Sequence, residues 1–401
     1  MHLLQGAVRT YEWGDVRAIP ELLGRPVTGE PVAEYWLGTH PLAPTRCPIP
    51  VGASASPAPD TLAVALDLAG DDLLGSAHLE RFGTRLPFLL KLLAANRALS
   101  IQVHPDAATA RAGFDRENAA GIDLDDPRRT FKDPWHKPEM VTALSEFEVL
   151  CGFADPALTA PVLHGAAGAA AELGRPEASG LLREWAGALD SGATAEAGLA
   201  AALRLLFSRQ DEFGALGSLL PELLEVAGNR DAASLTDRLA VDYPGDVGVC
   251  LALLLNHLRL APGESLALEA GVPHAYVHGL AVEIMASSDN VVRGGLTSKH
   301  VDPRLLCELV DYRPGPPPVV PAGVDGPAVA DFALHRFAGG TELIAGPAIV
   351  LCTKGAAELR ATAQELPVLQ GQAAFIGHAE GPVTVTGSGE LFIATSGPSG
   401  A

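Results

Sequence analysis

Leu99-Ser100-Ile101-Gln102-Val103-His104-Pro105 alternates in character: Leu99, Ile101 and Val103 fall on one side of an extended chain, Ser100, Gln102 and His104 on the other. A period of two predicts a β-strand with one face in a core and the other in a polar cavity. Serine, glutamine and histidine are costly to bury without partners, so this strand calls for partners elsewhere in the chain. Upstream, Leu86 to Ala94 reads as a buried strand that turns at Asn96 into it. Downstream, Lys137 and Glu139 are two apart, as are His274 and Tyr276, and Pro105, Pro138 and Pro273 stiffen the three approaches. Any one of these histidines alone is an ordinary hydrogen-bonded core residue. Together, Gln102, His104, Glu139 and His274 supply an amide oxygen, two neutral imidazoles and a carboxylate. That donor set fits a borderline divalent cation, zinc before others.

A second polar cluster, Glu283, Asp289, Arg293 and Lys299, lies in Val282–Lys299. It reads either as a solvated loop with routine salt bridges or as a grip for a phosphate and a sugar. Gly294 and Gly295 allow close backbone approach. Arg293 and Lys299 supply cations, with Lys91 and Ser100 contributing from the facing strand. Of 28 basic residues only Lys91, Lys132, Lys137, Lys299 and Lys354 are lysine, and all but Lys354 fall in or beside these segments. In an arginine-rich chain, a surviving lysine marks a place where a compact ammonium is wanted.

The chain has 401 residues and a formal net charge of −20, a field that repels nucleic acid and anionic membranes but leaves room for a small anionic ligand. Met1 to Gln5 lacks the basic and apolar regions of a signal peptide, and apolar runs such as Leu251–Leu255 are too short to span a bilayer, so the expected compartment is the cytoplasm. Five cysteines, odd in number and without a CxxC pair, are expected to be reduced and mostly buried. Tyr11–Gly14 and Ala33–Pro41 suit short strands and tight turns, and Val51–Asp60 a surface loop. Ala107–Asn118 reads as a helix. From Asp155 to about Leu239 the spacing is helical, as in Leu181, Leu182, Trp185 and Leu189, and it carries little that suggests chemistry. Strand character returns over Leu258–Glu269 around a turn at Ala261–Glu264, and Pro314–Pro327 reads as a linker. Val368–Ile376 echoes Leu260–Leu268, a weak repeat consistent with two β-barrels of one type, although His378 in the second copy has no companion ligands.

In this order and spacing the motifs resemble the type I mannose-6-phosphate isomerases, the phosphomannose isomerase family of zinc-containing cupins. The resemblance rests on Tyr11–Gly14, Glu34–Pro41, Leu99–Pro105, His136–Met140, Phe147–Phe153, Pro273–Tyr276 and Ser288–Thr297. It implies zinc, one per chain, on Gln102, His104, Glu139 and His274. It implies interconversion of mannose 6-phosphate and fructose 6-phosphate through a cis-enediol, with Arg293 over the reacting carbons and Lys137 beside the metal motif. The base is open among His136, Lys137, Glu283, Asp289 and a zinc-bound hydroxide, the His136–Lys137 pair being favoured for its place beside a ligand. Trp13 is expected to wall the sugar face, and Lys91, Ser100, Tyr276, Glu283 and Lys299 to contact substrate. Ser298 and His300 depart from the family's pattern next to Lys299. The expected architecture is mainly β, two jelly-roll barrels of cupin type with an inserted helical domain. Its parts are residues 1–154 and 245–313 (catalytic), 155–244 (helical insert), 314–327 (linker) and 328–401 (C-terminal barrel), in a monomer or weak homodimer. Rival readings are a cupin that binds a sugar phosphate without catalysis, an iron oxygenase, and a phosphate-independent sugar isomerase.

Overall fold

The computed structural model describes residues 1–47 and 60–398, so the loop expected at Val51–Asp60 lies outside the described residues except for Asp60. At the centre is the strand Phe88–Ala95, buried along its whole length. It pairs antiparallel with His274–Ala286 on one edge, Glu283 opposite Lys91, and with Glu34–Leu37 on the other, Trp36 opposite Lys91. Its two faces have separate tasks. Phe88, Leu90, Leu92 and Ala94 join Val282 and Ile284 in a core shared with Ile349, Leu351, Phe375 and Phe392 from the C-terminal part. Leu89, Lys91, Leu93 and Ala95 face the other way, as the two-residue period requires.

His274–Ala286 is 13 residues long and changes partners along its length. Its later half pairs with Glu139–Ala143 and Phe88–Ala95, its first residues with Phe147–Phe153 and, at His274, with Gln102. The switch occurs at a bulge between Tyr276 and His278, followed by Gly279 at φ +117°. A Cβ at Gly279 would lie 2.4 Å from the Glu146 carbonyl oxygen, so only glycine fits the crossing. This one strand thereby carries His274, Tyr276 and Glu283 past the segments that bear Lys91, Gln102 and Glu139.

The C-terminal part is two sheets. One is ordered His2–Leu4, Ala373–Ile376, Ala348–Lys354, Glu390–Thr395, Ala333–Phe337; the other Gly340–Ala345, Pro382–Gly387, Ala356–Arg360, Glu365–Leu369. They enclose a hydrophobic core that includes Val350, Leu359, Val385 and Ile393. The chain's first strand, His2–Leu4, belongs to this part rather than to its sequence neighbours. Two closed barrels were expected, whereas backbone pairing among the described residues forms three open sheets, the largest branched through His274–Ala286. The echo of Leu260–Leu268 at Val368–Ile376 is a strand–turn–strand in both places. His378 is exposed beside Gly75, away from any ligand partner. The proline-rich stretch is pinned: Val319–Val320 pairs with Ser265 and Leu266 at the sheet edge.

Helices take a larger share than a mainly β expectation allows, with thirteen α-helices and twenty strands among the described residues. Six of them run from Pro156–Glu172 to Arg230–Asp242, two opened by the side-chain caps Asp155 and Thr194. Their Trp185, Leu203 and Leu220 pack into the core that also takes Ile101 and Val103. The apolar face of the ligand-bearing strand is thus held by the helical insert. Among the described residues no helix is long and apolar enough to cross a membrane. All five cysteines are free, and Cys47, Cys151, Cys250 and Cys352 are buried.

Candidate active site

His104, Glu139 and His274 meet in the interior, with one potential ligand atom from each lying within 4.8 Å of the others. Each imidazole is set by a backbone carbonyl: His104 Nδ1 lies 2.8 Å from Asn290 O, and His274 Nδ1 2.9 Å from Val272 O. Those contacts place the hydrogen on Nδ1 and leave a lone pair on each Nε2. The Nε2 atoms then face the two Glu139 oxygens at 3.4 and 3.3 Å, acceptor against acceptor. His104 Nε2 is buried without a hydrogen-bond partner. Burial, only partly offset by Glu139, lowers His104 to about 4, so the ring is neutral at physiological pH. Burial opposes the Glu139 charge, yet the Lys137 ammonium holds its carboxyl well below the usual range. Neutral imidazoles aimed at a carboxylate need a cation between them, and this donor set fits zinc. Gln102 lies directly across the ladder from His274 and, on its other edge, from Arg293.

Around this centre is a buried charged layer. Lys137 Nζ donates to Glu139 Oε1 at 2.9 Å, and Lys91 Nζ to Glu283 Oε2 at 2.9 Å and Glu34 Oε1 at 3.3 Å. The Tyr276 hydroxyl donates to the other Glu283 oxygen at 2.8 Å. Burial alone would lower the Lys91 ammonium, but Glu283 and Glu34 raise it above its ordinary value. Burial raises the Glu283 carboxyl, with Lys91 pulling against it. Burial, then Glu283, lifts the Tyr276 phenol well above 10.0. Arg293 and Lys299 differ: among the described residues neither side chain has a hydrogen bond or an ion pair. Arg293 is half-buried and its guanidinium is lowered by desolvation; Lys299, solvent-exposed, is lowered by partial desolvation and by Arg293.

Other expected residues fall around this centre. Asp289 Oδ2 sits 3.2 Å from His40 Nε2, and although burial would raise its carboxyl, His40 and the nearby Lys137 lower it. Trp13 stacks on Tyr11 and packs against the hydrophobic cluster that contains Tyr276. Ser100 is half-buried and precedes the paired segment Ile101–Val103. His136, expected to pair with Lys137, turns to the opposite side of the chain: its Nε2 lies 2.6 Å from Asp331 Oδ2. That hydrogen bond raises His136 above 6.5 despite burial. Sequence reading missed Glu34, His40 and Asn290. The first two sit inside the quoted Glu34–Pro41 motif, so the signal was present. Asn290 orients His104 through its carbonyl while its amide nitrogen donates to Asp133 O and Trp135 O, each at 2.8 Å. A carbonyl role leaves no trace in residue type.

Two imidazoles and a carboxylate inside an antiparallel sheet, with free cations beside them, define a metal-dependent site for a small anionic ligand. Comparison with known proteins makes this specific. Residues 1–155 match the family model for phosphomannose isomerase type I, catalytic domain. The mannose-6-phosphate isomerases of Salmonella typhimurium and Escherichia coli are each 36% identical over 409 residues, covering 98% of this chain and 98% of theirs. Mannose-6-phosphate isomerase 2 of Arabidopsis thaliana is 30% identical over 96% of this chain and 90% of its own. Among solved structures, a mannose 6-phosphate isomerase bound with zinc and yttrium superposes with a TM-score of 0.83 at 35% identity, covering 99% of this chain and 100% of that one. The Salmonella typhimurium enzyme bound to fructose 6-phosphate and zinc also gives 0.83 at 35% identity, with the same coverage. The chain belongs to the mannose-6-phosphate isomerase family.

Proposed function

We propose that the chain interconverts mannose 6-phosphate and fructose 6-phosphate by a proton shift between C2 and C1, through a cis-enediol, with zinc on Gln102, His104, Glu139 and His274. The observation that carries this reading is the unpartnered, buried His104 Nε2 facing Glu139. The family membership and the neighbour holding both fructose 6-phosphate and zinc support it. When bound, zinc supplies a Lewis acid for the sugar oxygens.

The remaining roles belong to side chains. Arg293, uncompensated and partly desolvated, offers fixed positive charge to the oxygen that becomes negative as the C2 proton leaves. Lys299 joins it on the phosphate side. Lys137 keeps Glu139 ionised, and Lys91 with Glu34, Glu283 and Tyr276 forms a rigid floor under the sugar. Asp289, oriented by His40, is the group that trades a proton with the substrate, whereas His136, turned away from Lys137 onto Asp331, ties the two parts of the chain together. Trp13 and Ser100 border the sugar. We read the sheets as two cupin-type jelly rolls divided at the expected boundaries, with His2–Leu4 lent to the C-terminal one. We propose a monomer or weak homodimer in the cytoplasm, a compartment the free cysteines suit.

The test is fructose 6-phosphate formation from mannose 6-phosphate by protein stripped with a chelator and then resupplied with zinc. Activity should vanish and return. Activity that persists after verified metal loss would overturn the zinc assignment, and none under any divalent metal would overturn the isomerase reading.

A further inference from the structure

We propose that Asp246, in the turn just past the helical insert, is a positioning residue for the Arg293–Lys299 segment. This inference rests on the reading of Arg293 and Lys299 as substrate cations. The Asp246 carboxylate accepts three backbone hydrogen bonds: Oδ1 from Gly248 N at 2.6 Å and Leu296 N at 2.8 Å, Oδ2 from Thr297 N at 3.1 Å. Leu296, at φ 54°, is the one non-glycine residue with positive φ among the described residues. Such a backbone persists only where its surroundings over-determine it.

Three contacts do so here. The Leu296 side chain is buried in the core of the helical insert. The Leu296 and Thr297 amides end on Asp246. Beneath them, two glycines bring backbone against backbone, for a Cβ on Gly295 would lie 2.6 Å from Gly248 Cα and one on Gly248 2.5 Å from Leu296 N. The strand itself bulges between Arg293 and Gly295, the step that leads from the Gln102 ladder into this turn. Thr297 Oγ1 then accepts from Lys299 N at 3.1 Å, extending the order to the second cation. Asp246 is fixed in its own turn, its N–H donating to Tyr243 O at 3.1 Å.

One carboxylate just past the insert thus holds the turn between two cations that have no partners of their own among the described residues. Without it, three amides lose their acceptor, two of them in the Leu296–Thr297 turn, the strained turn relaxes, and Arg293 and Lys299 no longer converge. The ligands His104, Glu139 and His274 sit on other segments and are untouched.

The experiment compares wild type with Asp246→Ala and the milder Asp246→Asn, whose amide oxygen can still accept from Gly248 and Leu296 but whose NH2 opposes Thr297 N–H. Arg238→Ala serves as control: it cuts another tie between insert and sheet, Arg238 Nη1 to Glu148 Oε2 at 2.8 Å, without touching the turn. Expected for Asp246→Ala is a rise of about tenfold or more in KM for mannose 6-phosphate, with parallel weakening of competitive inhibition by inorganic phosphate. Zinc content should stay at the wild-type level, Asp246→Asn should be intermediate, and Arg238→Ala should lower the melting temperature with KM unchanged. Amide hydrogen exchange at Leu296 and Thr297 should accelerate in both Asp246 variants, a readout independent of turnover. Unchanged exchange, or a folded, zinc-replete Asp246→Ala with KM within about twofold of wild type, would overturn the inference. Wild type that binds zinc but does not turn over mannose 6-phosphate would overturn the function instead, and exchange with phosphate binding would then decide the role of Asp246.

Discussion

The strands Phe88–Ala95 and Ala348–Lys354 occupy equivalent places in their sheets, each central, each almost wholly buried, each with one face in the core shared between the two parts. Their other faces diverge. Ala348, Val350 and Cys352 join an apolar cluster with Leu359, Val385 and Ile393. The corresponding face of Phe88–Ala95 puts Lys91 in mid-strand, opposite Glu283 and within reach of Glu34. Burying a lysine and several carboxylates stabilises a fold less than apolar packing does, because desolvation takes back most of the Coulomb gain. The C-terminal interior shows what this chain does when only stability is at stake. The catalytic interior departs from that, and the departure marks where a charged ligand and a cation belong.

The sharpest way to break this comparison is His104→Ala. Zinc per chain should fall from about one to near zero by metal analysis, and turnover with it, since a coordination site of this size does not survive the loss of one of its two imidazoles. Zinc retained near the wild-type level would remove His104 from the site. Next is Lys91→Met, which leaves Glu34 and Glu283 facing each other without their cation; breaking a buried ion pair costs about 3–5 kcal/mol. Glu283, already raised by burial, can take up a proton in response, so chemical denaturation should show the low end of that range. Leu359→Ala is the matched change in the C-terminal interior, expected to cost about 2–5 kcal/mol by the same measurement, with zinc content and KM as in wild type. A change in KM there would mean the two interiors are not separable.

Arg293→Lys keeps the charge but loses the planar fork. With zinc retained, kcat should fall by roughly 10²–10³-fold, the scale of one oxyanion-type donor, and near-normal kcat in a zinc-replete protein would take Arg293 out of the chemistry.

The cluster of His104, Glu139 and His274 was legible because strand geometry prints itself on sequence: residues two apart share a face, so Gln102 and His104, or Lys137 and Glu139, could be paired by inspection. The same rule separates His136 from Lys137, since neighbours on an extended chain point apart, and position beside a ligand was a weaker guide than that alternation. Partners far off in sequence were illegible. Asp331 reaches His136 across 195 residues, and nothing in either segment announces the other. His2–Leu4 is three residues, too short for any period to show, and only pairing with Ala373–Ile376 reveals where it belongs. Periodicity also speaks to faces and is silent on closure, which is why barrels were expected where open sheets are found. Asn290 and Asp246 act through or upon backbone groups, which every residue carries alike.

His136–Asp331 spans the two regions, and it offers the smallest and most specific measurement. The Asp331 hydrogen bond raises His136 above 6.5 in the folded chain. A raised folded value means the stabilisation is fully present below the unfolded value of 6.5 and is lost as pH rises through the folded one. Asp331→Asn should therefore destabilise at pH about 6 by up to about 1 kcal/mol, since the imidazole is partly exposed, and by much less at pH about 9, read as denaturation midpoints at both. The His136 titration followed by NMR should drop toward its ordinary value in the variant. If His136 also exchanges protons with substrate, the pH profile of kcat/KM moves in the same direction; if the stability effect appears while that profile stays fixed, the pair only joins the two regions, and proton transfer falls to Asp289.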